Sequence, residues 1–151
     1  MKVKQVYYGD PWPLNLPWQE DPVRPELDRE FRFTAGREVF TNGGAIVCVS
    51  YCKGVPSMIN HLTTMVGLDY VVFYTVWSRQ RGAGKTLVLD LLNFMLETRP
   101  WQKRYVTLSP KTQMAYNFHT KNGASLYREN QGSDNYAVSY THLTLPTKRI
   151  V

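Results

Sequence analysis

One continuous apolar run, Tyr70-Val71-Val72-Phe73-Tyr74-Thr75-Val76, leads into Ser78-Arg79-Gln80-Arg81-Gly82-Ala83-Gly84-Lys85-Thr86 and then into a stretch of helical periodicity. Nothing else in the chain constrains the fold as tightly. A strand without polar alternation is buried on both faces, so it belongs inside a sheet covered above and below. A Gly-rich turn opening a helix presents unpaired backbone N–H groups and the positive end of the helix dipole, and Arg79, Arg81 and Lys85 add cations there. The loop is expected to cradle phosphate, with Gly82 and Gly84 allowing a close approach that a Cβ would block. A plain tight turn between strand and helix is the simpler alternative.

Thr86–Thr98 places Leu87, Leu91, Phe94 and Met95 on one face and Asp90, Asn93 and Glu97 on a polar stripe, an amphipathic helix stopped by Pro100. Arg104–Leu108 reads as a strand, Thr112–Lys121 as a helix ending at Asn122-Gly123, and Ala124–Arg128 as a final strand. From Asp69 onward the order is therefore β-α-β-α-β. A strand–helix–strand connection of this size favours a parallel pair with a right-handed crossover, which puts the loop after Trp77 at the carboxyl ends of the strands. Upstream, Val3–Tyr8 alternates like a strand, and five of the nine prolines then fall between Pro11 and Pro25. This irregular arm, with Trp12 and Trp18, is expected to lie over the body of the protein, since a free linker would be poorer in Trp. Pro25 is expected to open a helix over Glu26–Phe33, and Arg37–Thr41, Asn42-Gly43-Gly44 and Ala45–Cys52 form a hairpin. Ser57–Met65 reads as a helix capped by Ser57.

The chain has 151 residues, of which 43% are hydrophobic and 20% charged, which describes one ordinary globular domain and excludes fibrous and disordered classes. Every apolar run is interrupted well before the roughly 20 residues a bilayer requires, and Met1-Lys2-Val3-Lys4-Gln5 leads into no apolar signal segment, so a cytoplasmic protein without membrane association is expected. Cys48 and Cys52 lie four apart in one strand, about 13 Å from each other and too far to bridge, and read as reduced core residues. The last fourteen residues, Val138–Val151, resemble an in-frame translation of a sequencing adapter, so the domain is expected over 1–137. Removing Lys148 and Arg149 of that tail from the 18 basic residues leaves 16 against 12 acids. So mild an excess, without a Lys/Arg block, gives no reason to expect nucleic acid as a partner.

Gly84-Lys85-Thr86 ends like a P-loop, but that pattern needs a Gly where Arg79 stands. The approximately fifty residues between Thr86 and the tail are also too few for the further strands and metal-binding Asp of a nucleotide hydrolase. Arg79-x-x-Gly82-x-Gly84 instead resembles the Arg/Gln-x-x-Gly-x-Gly/Ala signature of the GCN5-related N-acetyltransferases. Met114-Ala115-x-x-Phe118-His119-x-x-Asn122-Gly123-Ala124 is similar to the Ala-x-x-Leu/Phe-Tyr-x-x-x-Gly-Phe segment of the same superfamily. The resemblance implies an α/β (α+β) fold with a central mixed sheet, helices on both faces, and strands around Phe73 and Val106 diverging at their carboxyl ends. It implies acetyl-CoA, or another acyl-CoA, as cofactor, with coenzyme A as product. The backbone of Tyr74, Thr75 and Val76 would pair with the pantetheine arm. The loop of Arg79, Gln80, Arg81, Gly82, Ala83, Gly84 and Lys85 would hold the pyrophosphate, with the amides from Gln80 to Lys85 as donors. The acceptor would be a small-molecule or peptide amine.

Where that superfamily commonly has a Tyr that protonates the departing thiolate, this chain has His119, and where an Asn often precedes the Ala by three it has Thr112. Histidine can give or take a proton near neutrality; the alternative for His119 is packing at a helix end, against the negative terminus. Leu108-Ser109-Pro110 together with Phe118-His119 also resembles malonyl-CoA decarboxylase, which uses a Ser and a His, and this makes Ser109 a second candidate. A helix starting near Thr112 carries His119 about 10 Å from its start, so Ser109 and His119 are not expected to bond directly, and Ser109 reads first as a strand-end or capping hydroxyl. Tyr116 and Tyr127 are candidates for an acceptor pocket or for core. His61 has no partner at ligand spacing, so no metal site is expected, and Asp69 and Glu97 read as capping or solvated charges. Acyl transfer, decarboxylation and non-catalytic acyl-CoA binding are the functions left open, and the oligomeric state is not legible.

Overall fold

The computed structural model describes residues 3–138 apart from 16 and 103. Its strands are β1 (Lys4–Val6), β2 (Arg37–Thr41), β3 (Ala45–Cys52), β4 (Tyr70–Ser78), β5 (Tyr105–Thr107), β6 (Ala124–Glu129) and β7 (Asp134–Val138). The helices are α1 (Arg29–Phe33), α2 (His61–Thr64), α3 (Ala83–Thr98) and α4 (Gln113–Lys121). All seven strands form one sheet in the order β1-β2-β3-β4-β5-β7-β6. It is antiparallel except for β4 and β5, which pair in parallel across α3 as the strand–helix–strand order requires.

The hairpin of β2 and β3 has the bounds that its sequence implies. Gly43 supplies the left-handed residue of the turn at φ 92°, and the Asn42 side chain accepts from the amides of Gly44 and Ala45, at 3.0 Å each. β3 and β4 form the middle of the sheet, and two layers cover them. On one face the apolar side of α3, with Leu87, Leu91, Leu92 and Met95, packs on Val47, Val49, Val71 and Phe73. Burying each such side chain contributes about 1.5–3 kcal/mol. On the other face lie Trp12 and Leu27 of the arm and Leu62 of α2, against Val39, Ile46, Val72 and Leu108.

The arm is thus part of the body, and a buried ion pair fixes it. Arg32 of α1 donates to Asp21 at 2.8 Å, both side chains are fully buried, and the Thr75 hydroxyl of β4 donates to the same carboxylate. The amides of Val23 and Arg24 complete the shell of Asp21. Cys48 and Cys52 are free and buried in β3, and burial pushes the Cys48 thiol up to about 12.

Four elements differ from the sequence reading. α1 starts at Arg29, because the Asp28 carboxylate accepts from the Phe31 amide at 2.8 Å and makes a stronger start than Pro25. Only His61–Thr64 of the Ser57–Met65 segment is helical, since the Ser57 amide donates to His61 Nδ1 instead of the serine capping a longer helix. α3 begins three residues early, so Ala83, Gly84 and Lys85 form its first turn. β7 was not anticipated: it lies antiparallel between β5 and β6 and moves Ala124–Glu129 to the sheet edge. Val138 belongs to β7, opposite Tyr105 and Ala124, so the fold includes the first residue of the adapter-like tail; 139–151 lie outside the described residues. Among the described residues no helix is long and apolar enough to cross a membrane, and no cluster of three or more His, Cys, Asp or Glu is placed to hold a metal.

Candidate functional site

β4 and β5 pair only from Val71↔Tyr105 to Phe73↔Thr107, closed by the Leu108 amide donating to the Phe73 carbonyl at 2.9 Å. Among the described residues β4 continues to Ser78 without a strand partner on that side. A bulge coincides with the parting: Cys48 stands opposite Thr75 and Val49 opposite Phe73, which leaves Tyr74 as the extra residue. Beyond the bulge the ladder phase is set by the Arg79 amide donating to the Gly44 carbonyl. Alternation from that point turns the backbone of Thr75 and Trp77 toward β3 and that of Val76 toward the open side. Of the three residues expected to offer backbone, Val76 therefore faces the opening and Thr75 does not. The Tyr74 carbonyl is occupied: Arg24 of the arm spans the gap, donating from Nε to Tyr74 at 3.2 Å and from Nη2 to Leu108 at 2.9 Å.

The loop after β4 borders a cleft of about 800 Å³ lined by Ser78 to Gly82, Gly84, Lys85, Phe118, Lys121 and Asn122. Gly82 sits at φ 81°, a left-handed conformation, and no side chain caps the helix start. Gly84 and Lys85 carry two of the amides that the start of a helix leaves without intrahelical partners. The Ala83 amide is committed to the Gln80 carbonyl at 3.1 Å and the Gln80 amide to Gly44 at 3.4 Å, so the free donors are fewer than the expected run from Gln80 to Lys85. Gly84 is buried, but a Cβ there would meet Ser78 and Val76 at 3.4 and 3.5 Å, ordinary van der Waals contact, so the packing of helix on strand does not itself require a glycine at this position. Among the described residues four cations line the cleft, Arg79, Arg81, Lys85 and Lys121, and no acid does.

The turn of the β2–β3 hairpin braces this loop. The Gly44 carbonyl accepts from Arg79, and Asn42 Nδ2 donates to the Ala83 carbonyl at 3.1 Å. A Cβ on Gly44 would come within 2.9 Å of both Ala83 Cβ and Gln80 Oε1. Neither this brace nor Lys121 was anticipated. Asn-Gly-Gly identifies a turn, but nothing in it says what the turn touches.

Ser109 and His119 meet, contrary to the expectation from chain spacing: Ser109 Oγ lies 3.1 Å from His119 Nε2. The three residues from Pro110 to Thr112 can carry the chain outward by about 10 Å, and α4 then doubles back over a similar length. The Thr112 side chain, accepting from the Ala115 amide at 3.1 Å, starts that helix. Ser109 is buried and bonds Thr107 Oγ1 at 2.8 Å, whose oxygen also accepts from the Tyr136 amide at 3.1 Å. The His119 ring stacks on Tyr136 with centroids 4.8 Å apart. Burial lowers the His119 pKa from 6.5 to about 4, so the ring is neutral at pH 7 and carries no charge to offset the helix terminus. Phe118, its neighbour on α4, lines the cleft.

Tyr116 and Tyr127 are exposed, outside the core, and do not line this cleft. His61 Nδ1 is engaged with Ser57. Asp69 and Glu97 do not line the cleft.

No family model matches the chain, and no curated protein sequence does. Solved structures do match. Malonyl-CoA decarboxylase from Cupriavidus metallidurans superposes with a TM-score of 0.68 at 13% identity, over 98% of this chain and 63% of that one. An acetyltransferase from Bacillus subtilis in complex with CoA gives 0.62 at 10% identity, over 91% and 97%. A GNAT family acetyltransferase from Elizabethkingia anophelis with acetyl-CoA bound gives 0.57 at 12% identity, over 91% and 96%. The chain spans under two thirds of that decarboxylase and nearly all of both acetyltransferases. The fold is therefore the one shared by GNAT acetyltransferases and malonyl-CoA decarboxylase.

Proposed function

We propose that the protein binds an acyl-CoA and transfers its acyl group to an amine, a small molecule or a peptide, in the cytoplasm. One observation carries this reading: a cation-lined cleft at the start of α3 adjoins a parting strand pair at which a buried serine and a neutral histidine are hydrogen-bonded. The cleft suits the diphosphate, with the Gly84 and Lys85 amides as donors and Arg79, Arg81, Lys85 and Lys121 supplying charge. Each of those exposed cations contributes modestly under cellular salt. The open side of Val76 suits the pantetheine amides, as a further strand would.

In the transfer step the amine nitrogen attacks the thioester carbonyl, the new C–N bond forms and the C–S bond breaks. The amine loses one proton and the thiolate gains one. His119, neutral at working pH, is too weak a base to hold that proton beforehand. Its Nε2 takes the Ser109 hydroxyl proton as Ser109 Oγ receives the amine proton, and the pair then returns one proton through Oγ to the sulfur, so it acts as a relay. Positioning of the two reactants supplies the rest.

The Ser109–His119 contact also favours a second reading, decarboxylation of malonyl-CoA. Here the C–C bond to the carboxylate breaks, the Ser109 hydroxyl stabilises the enolate oxygen, and a proton then returns to carbon. Offering acetyl-CoA and malonyl-CoA with and without amines separates the two. Amine-dependent release of free thiol supports transfer. Release of CO2 from malonyl-CoA without acceptor, and without free thiol, supports decarboxylation. Tight thioester binding with no turnover leaves a binding protein, and a melting temperature raised by ATP with magnesium but by no thioester overturns the proposal.

A further inference from the structure

A second cavity, of about 460 Å³, opens on the opposite side of the parting strands and is lined by Arg24, Ser57, Met58, Leu108, Asn130 and Ser133 among others. Its volume suits a small ligand. Its walls are tied together: Ser133 Oγ donates to the Ser57 carbonyl at 2.7 Å, and Asn135 Nδ2 donates to the carbonyls of Pro56 and Thr107 at 2.8 Å each. Among the described residues Arg24 is its only charged lining residue.

That guanidinium is half spent. Nε and Nη2 hold the Tyr74 and Leu108 carbonyls, while Nη1 has no partner among the described residues and is not a buried orphan. Its end edge, Nη1 with the second N–H of Nη2, keeps the fork that matches a carboxylate. Among the described residues no carboxylate forms an ion pair with it: Asp21 is committed to Arg32 and Thr75, and Glu26 acts only at longer range. Burial lowers the Arg24 pKa, so a bound anion would relieve an uncompensated cation. The position is the place where β4 and β5 part, the point at which the acyl group and its acceptor would meet.

We infer that this cavity receives a substrate carboxylate on Arg24, an inference resting on the thioester reading above. The carboxylate belongs either to the acyl chain or to the amine acceptor. Calorimetry on the intact chain distinguishes these sources. Succinyl-CoA is compared with butyryl-CoA, and, on protein saturated with CoA, alanine is compared with ethylamine. A preference of about tenfold or more is expected for the carboxylate partner of one pair. Preference in the first pair places the carboxylate on the acyl chain, and in the second on the acceptor. Arg24→Gln should erase the preference while CoA binds as before, and Arg24→Lys should retain part of it. Equal affinities within both pairs, or a preference that survives Arg24→Gln, overturn the inference and leave thioester binding intact. If Arg24→Gln does not fold, the wild-type pairs and Arg24→Lys decide. Failure to bind CoA itself is a different result, which removes the proposed function and this inference with it.

Discussion

Replacing His119 with Gln keeps a group able to bond Ser109 but removes the one that titrates, and so tests the environment of the imidazole directly. The folded ring has a pKa of about 4 against 6.5 in the unfolded chain, because burial disfavours the charged form. A folded pKa below the unfolded one means the unfolded chain binds the extra proton first, so the stability contributed by the neutral ring is complete above pH 6.5 and is lost between 6.5 and 4. The full displacement corresponds to about 3 kcal/mol, and partial exposure of the ring reduces it to about 2 kcal/mol. For a chain of this length that is a change of about 4–8 °C in Tm. Scanning calorimetry of wild type and H119Q from pH 7.5 to 4.5 reads it: every other group titrates alike in both, so the wild type should lose about 2 kcal/mol more than the variant. Parallel curves would show that the ring is solvated and would refute the argument. The acid limb of kcat/KM should likewise fall well below pH 6.5, since the proton-accepting form of His119 persists there.

Asp21→Asn leaves Arg32 buried without its counter-charge and should cost about 3–5 kcal/mol in a urea melt; a loss below about 1 kcal/mol would mean that water reaches the pair. Gly44→Ala forces the hairpin turn against Gln80 and Ala83, and should weaken CoA binding about tenfold by calorimetry while the Tm falls by only a few degrees, about 1 kcal/mol. Ser109→Ala should lower turnover by about 10²–10⁴ with thioester affinity retained, and an unchanged kcat would remove Ser109 from the relay.

What the sequence disclosed was what local rules decide. The β2–β3 hairpin, the all-apolar β4, the amphipathic α3 and the left-handed Gly82 each follow from a few adjacent residues, and each lies where those residues put it. The Ser109–His119 contact is not legible from helix length alone. Ten residues with a three-residue extended link and a returning helix bring the ends together, and only the direction of the link decides which outcome holds. β7 failed for another reason: Ser133-Asp134-Asn135 reads as polar loop, yet Ser133 and Asn135 are buried because their side chains bond backbone carbonyls of the 56–57 segment and β5. The Arg24 guanidinium carried no local signal, since its partners lie fifty and eighty-four residues away on β4 and beyond β5, and the bond of Asp21 to Thr75 spans fifty-four.

Three consecutive residues of β4 explain why the proline-rich arm belongs to the site. Tyr74 is the bulge that lets β5 part, and its carbonyl is held by Arg24. Thr75 turns its hydroxyl to the buried carboxylate of Asp21, whose other bonds fix the chain at Val23 and Arg24. Val76 turns its backbone to the opening. The carboxylate that anchors the arm therefore also sets where the Arg24 guanidinium emerges, three residues later, at the parting of the strands. Loosening Asp21 should move Arg24 before it unfolds the sheet, because β3 and β4 are held independently by α3 on the far face.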